Sequence, residues 1–151
     1  MKYLTSATAI FAAVMLSSCA LKPIPSEYNL VQTKNEEVNL ERLGNGTVLI
    51  YNDANILHTS DNTSQLNIVL DDKNLGQLRA KDYVIIRLEN GKHIFKLRHL
   101  DLVNMRSEHV VTVTDSLKVI RVKPTISSNK LEVTNQLPGN WENYEYMNPK
   151  K

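Results

Sequence analysis

The chain is poor in the residues that most often carry chemistry or staple a fold. Of its 151 residues only Cys19 is a cysteine, so no internal disulfide can form. Glycine is scarce, at five residues, and no Gly-Lys-Ser/Thr follows Gly44-Asn45-Gly46, which excludes a phosphate-cradling loop there. No Gly-x-Ser-x-Gly elbow marks a nucleophilic serine. Long apolar runs are missing too. The stretch Ala7–Leu16, broken only by Thr8, falls short of the ~20 residues a membrane-spanning helix needs. Neither sign of charge dominates, at a net +2.

What is present begins at the N-terminus. Lys2 supplies a positive start, the apolar run follows, and small residues lead to Cys19. That is the architecture of a secretory signal. Leu16-Ser17-Ser18-Cys19 resembles the lipobox of bacterial lipoproteins. The resemblance implies cleavage before Cys19, a thioether-linked diacylglyceryl group on its sulfur and acylation (palmitate-type chains) of the new amino group. Two or three chains anchor a protein stably where one does not. By the same resemblance, Ala20 in place of Asp implies the outer membrane, facing the periplasm. The alternative is a signal peptide cut at another small residue, with Cys19 there by chance.

Residues 1–18 therefore read as a signal peptide, 19–46 as lipid anchor and tether, 47–136 as the folded domain and 137–151 as a tail. Pro23 and Pro25 mark the tether as extended. Asn35-Glu36-Glu37 through Leu43 has the capping pattern of a short helix, and its alternation also suits an edge strand. From Thr47 the texture is short β-branched runs between turn signals. Thr47–Tyr51 is apolar on both faces, as in a central strand. Leu66–Leu70 alternates, Asp71-Asp72-Lys73-Asn74 turns, and Leu75–Leu78 returns. Tyr83–Leu88, His93–Arg98, Val110–Thr114, Leu117–Val122 and Lys130–Thr134 follow, with a hairpin expected at Asn90-Gly91. No long helical pattern intervenes, so the expected class is mainly all-β, a small antiparallel β-sandwich. Its predicted core is Val48, Ile50, Leu66, Ile68, Leu70, Val84, Ile86, Phe95 and Leu97.

The segments Ile68–Leu78, Tyr83-Val84 and Leu88–His93 resemble a family of small bacterial lipoprotein domains of unassigned function. They are also similar in turn pattern to the PEGA repeat of bacterial surface proteins. The resemblance covers about Thr47 to Val122. It implies a β-sandwich and no known activity.

Candidate chemistry is thin. His93 and His99 share a strand face, but six residues at ~3.3 Å each separate them by ~20 Å, too far for one metal ion. A metal site would have to recruit His109 and a carboxylate, and His58 lies in a polar loop. No metal, cofactor or catalytic residue is assigned, and Asp71-Asp72 reads as turn chemistry.

Charge is uneven: residues 20–72 carry 3 basic and 8 acidic side chains, whereas 73–130 carry 12 basic and 5 acidic. Arg87, Lys96 and Arg98 fall on the polar side of predicted strands, and Arg121 and Lys123 alternate on a later one. If those strands are neighbours, the sheet presents a basic stripe. It lacks the interleaved aromatics that stack nucleobases. A solvated sheet face is the plain reading; lipid headgroups, lipopolysaccharide or peptidoglycan are anionic ligands suited to an envelope compartment. The expectation is a non-enzymatic envelope component with a structural or assembly role and a possible protein partner. The alternative is a binding module for an anionic envelope ligand.

Overall fold

The computed structural model describes residues 21–54, 63–101 and 103–147. Among the described residues nine strands form two sheets. They are β1 (Thr47–Asn52), β2 (Leu66–Leu70), β3 (Lys73–Leu78), β4 (Asp82–Arg87), β5 (Gly91–Leu100), β6 (Asn104–Val113), β7 (Val119–Pro124), β8 (Asn129–Val133) and β9 (Glu145–Tyr146). One sheet has the order β8-β7-β1-β4-β9 and the other β3-β2-β5-β6. Most pairings are antiparallel, but β1–β7 and β4–β9 are parallel. The chain is a mainly-β sandwich. All nine predicted core residues lie in the cluster between the sheets.

β1 and β4 are apolar on both faces for a reason the topology supplies. Val48, Ile50, Val84 and Ile86 point into the inter-sheet core. Their neighbours Leu49, Tyr51, Tyr83 and Ile85 point the other way, into a second apolar layer with Val119 and Tyr144. That layer is closed by segments from both ends of the chain. Trp141 packs on Tyr83 and stacks on Tyr144, with ring centroids 4.7 and 5.3 Å apart. The Trp141 indole N–H donates to the Asn35 carbonyl at 2.9 Å, joining the two covering segments. The tail thus folds back through Met147.

Residues 35–43 form neither one continuous helix nor a strand but two single-turn 3-10 helices, Asn35–Glu37 and Leu40–Arg42, the second capped by the Asn39 side chain. Val38 and Leu40 both pack on the aromatic layer. Residues two apart point to different sides of a helix, so extended backbone at Val38 and Asn39 is what lets both reach it.

The segment expected to be a free tether is extended but docked. Leu21 is only 4% exposed. Asn67 Nδ2 donates to the Lys22 carbonyl at 2.8 Å and Gln77 Nε2 to the Leu21 carbonyl at 3.2 Å. Further on, Glu27 N–H bonds to Asn74 O on β3 and Val31 N–H to Ile85 O on β4, both at 2.8 Å. The segment therefore bridges the edges of the two sheets along one side of the sandwich.

The hairpin expected at Asn90-Gly91 is absent. β4 belongs to the five-stranded sheet and β5 to the four-stranded one, so this turn crosses between layers. A two-residue type I′ hairpin needs positive φ at both positions. Among the two, only Gly91 has it. Asn90 instead donates to Asp115 at 2.7 Å. The tight hairpin is at Asp71-Asp72, with φ of 47° and 62°, joining β2 to β3. β6 also begins six residues earlier than the apolar alternation at Val110 suggests, and pairs along its whole length with β5.

Candidate functional site

The five basic residues expected to form one stripe are divided between sheets. Arg87 ends β4 in the five-stranded sheet, and Arg121 and Lys123 lie on β7 of that sheet. Lys96 and Arg98 point outward from β5 in the other. A single stripe across adjacent strands is therefore not formed, because its premise was the hairpin at Asn90-Gly91.

Local partners separate them further. Arg121 is held by Glu132 and stands 3.6 Å from Asp53. Asp53 also accepts from the Tyr144 hydroxyl at 2.9 Å and from Lys81 at 3.3 Å, in a network that clasps the tail onto the sheet. Burial and the neighbouring Asp53 push the Tyr144 phenol well above the usual tyrosine range. Lys96 is paired with Asp72 at 2.6 Å, and that bond raises its ammonium pKa.

Arg98 is different. Its Nε and Nη2 donate to the neutral Asn104, at 3.0 and 2.8 Å. Directly opposite it on β6 stands Arg106. Like charges directly across a sheet repel. Neither arginine has an ion-pair partner among the described residues. On the other side, Arg98 pairs with Asn67, whose side chain holds the backbone of Lys22. Lys22, Arg98 and Arg106 thus make one basic corner. Arg106 went unrecognised because Asn104–His109 shows no apolar alternation, and Lys22 because its segment reads as free chain.

The two outer faces of the sandwich differ. The five-stranded sheet is covered by the aromatic layer. On the four-stranded sheet, Ile94 and Val110 are cross-strand partners and remain 40% and 61% exposed. Lys96 and Glu108, the next outward pair, flank them.

At the end of the sandwich shared by the basic corner, the β5–β6 and β7–β8 tips stand side by side. They border a cleft of about 410 Å³ with His99 and Ala54 in its wall and Lys123, Ile126 and Lys130 around it. His99 is almost fully buried. Its Nδ1 sits 2.7 Å from Asn129 Oδ1, and Asn129 Nδ2 donates to the carbonyls of Leu97 and, at 3.5 Å, Met105. Because Asn129 uses its amide N–H groups on carbonyls, His99 must be the donor, which fixes its tautomer.

His93 lies elsewhere, at the Asp71 turn, with Nδ1 at 2.5 Å from Asp71 and Nε2 at 2.8 Å from the Glu89 carbonyl. His93, His99 and His109 are not brought together, and no group of three or more His, Cys, Asp or Glu side chains is arranged for a metal among the described residues. Cys19 and His58 lie outside the described residues. Among those residues no helix is long and apolar enough to cross a membrane.

No protein-family model, curated protein or solved structure matches this chain.

Proposed function

We propose that this chain is a bacterial envelope lipoprotein, anchored through acylated Cys19 and facing the periplasm from the outer membrane. In this reading its sandwich has a structural or assembly role and performs no catalysis. The observation that supports a role in assembly is the unequal treatment of the two outer faces. One carries a second apolar layer built from both chain ends. The other leaves the Ile94–Val110 pair open, rimmed by the charges of Lys96 and Glu108. An apolar centre with a polar rim is the anatomy of a protein–protein contact.

A photoreactive side chain placed at Val110 in the native membrane tests this. The reading expects one defined cross-linked product, in stoichiometric yield, lost when Ile94 is changed to Asp. Its companion measurement places a Cys19→Ala variant in fractionated envelopes, where it should leave the membrane fraction. No product at Val110, or a product unaffected by Ile94→Asp, removes the assembly role. The reading as a binding module for an anionic envelope ligand is favoured by one separate observation, the Arg98–Arg106 cross-strand pair, which has no ion-pair partner among the described residues.

A further inference from the structure

The docking of the segment that begins at Leu21 constrains how an anchored protein sits on its membrane. From Glu27 beside Asn74 to Leu21 beside Gln77, the segment runs toward the end where β5 finishes and β6 begins. Leu21 is fixed there, two residues after Cys19. Two residues span at most ~7 Å, so a lipid on Cys19 holds that end of the sandwich at the bilayer with almost no slack. Resting on the anchoring proposed above, we infer that this end docks directly on an anionic lipid surface.

Two kinds of side chain at this end fit that partner. The hairpin tips present apolar residues to solvent, Val103 at 58% and Ile126 at 86% exposure. Around them stand the basic corner of Lys22, Arg98 and Arg106, and the Lys123–Lys130 cross-strand pair. Asp101, at the β5–β6 tip, is the acid closest in sequence to Val103. Glu108 faces Lys96, one outward pair farther from the tip than Arg98–Arg106. Apolar tips can enter the headgroup region while the guanidinium groups meet lipid phosphates, which relieves the repulsion between Arg98 and Arg106. The Ile94–Val110 pair lies four residues along β5 from Arg98, ~13 Å farther from the bilayer, and stays open to a protein partner.

The test uses the mature acylated protein in nanodiscs, with a bimane probe on single introduced cysteines. The Cys19 sulfur is blocked by its lipid, so each new thiol is unique. In phosphatidylglycerol discs carrying a quencher-labelled lipid, probes at Val103→Cys and Ile126→Cys should be quenched and one at Val110→Cys should not. In phosphatidylcholine discs, or at 1 M salt where the Debye length is ~3 Å, the tip quenching should fall toward the Val110 value. Each basic residue near an anionic surface is worth roughly fivefold, so Lys22→Gln, Arg98→Gln and Arg106→Gln together should lower the docked-to-free ratio about a hundredfold. Acylated protein whose tips are unquenched in anionic discs, or whose quenching survives the triple change, overturns the docking. Intact mass of the same sample reads the anchor separately. A chain without acyl groups overturns the anchoring reading, and the docking with it.

Discussion

The clasp between the two sheets gives the sharpest stability prediction. Asn129, on β8 of the five-stranded sheet, reaches across to His99 and to the Leu97 and Met105 carbonyls of the other sheet. Both side chains are almost completely buried. Changing Asn129 to Leu removes one short bond and two longer ones and leaves the His99 N–H buried without an acceptor. A neutral hydrogen bond is worth ~1 kcal/mol and an unsatisfied buried group costs ~1–3 kcal/mol, so the loss should be about 2–4 kcal/mol. Against the ~5–15 kcal/mol of an ordinary domain this is a large fraction. Changing His99 to Leu as well removes the orphaned donor, so the double variant should lose less than the sum of the singles. Urea unfolding of the mature chain, with m-values compared to verify two-state behaviour, reads all four corners of the cycle. An Asn129→Leu loss below ~0.5 kcal/mol, or strict additivity, would refute the clasp.

Three further expectations follow from single sites. Ile86→Ala should cost ~2–5 kcal/mol by urea unfolding, since Ile86 is fully buried between the sheets; a surface-like loss would mean the core is placed wrongly. Gly46→Ala should be severely destabilising, because φ is 81° and a Cβ would sit 2.4 Å from the Leu88 carbonyl oxygen, whereas Gly139→Ala meets nothing within 4 Å and should be nearly silent in the same assay. The Asp71–His93 turn should respond to pH in both directions. Burial lowers the His93 pKa, but the bonds to Asp71 and the Glu89 carbonyl outweigh it and the net shift is upward. Its contribution is full below the ordinary histidine value and is lost as pH rises through the raised one. Burial raises the Asp71 pKa, but the Ile94 N–H and His93 outweigh it and the net shift is downward, so its contribution is lost as pH falls through the lowered value. Titration of the His93 ring signals by NMR should give a value above the usual range, returning toward it in Asp71→Asn; an unshifted His93 would contradict the pairing.

The elements whose apolar period matches their burial were legible in advance. Thr47–Tyr51 announces a central strand because both its faces meet apolar layers, and Tyr83–Leu88 announces a strand with one buried face, although the second layer that covers its other face was not foreseen. Its parts, Val31, Val38, Leu137 and Trp141, are scattered over more than a hundred residues and carry no local pattern. The Asn90-Gly91 turn misled because local turn chemistry was outweighed by which sheet each flanking strand could bury itself in. Moving β5 to the other sheet took Lys96 and Arg98 away from Arg87, Arg121 and Lys123 and dissolved the expected stripe. The corner that replaces it depends on cross-strand register between Arg98 and Arg106, and on a docked Lys22. Neither spacing nor composition encodes those contacts, since Asn67 and Gln77, which hold the segment, look like ordinary outward polar residues of a solvated sheet face.

The anchor is tested most directly by mass spectrometry of the N-terminal peptide of the protein extracted from native membranes. The mature chain should begin at Cys19 and carry a diacylglyceryl thioether and an N-linked acyl chain. A peptide with an unmodified Cys19, or a mature chain that begins at any other residue, would contradict it.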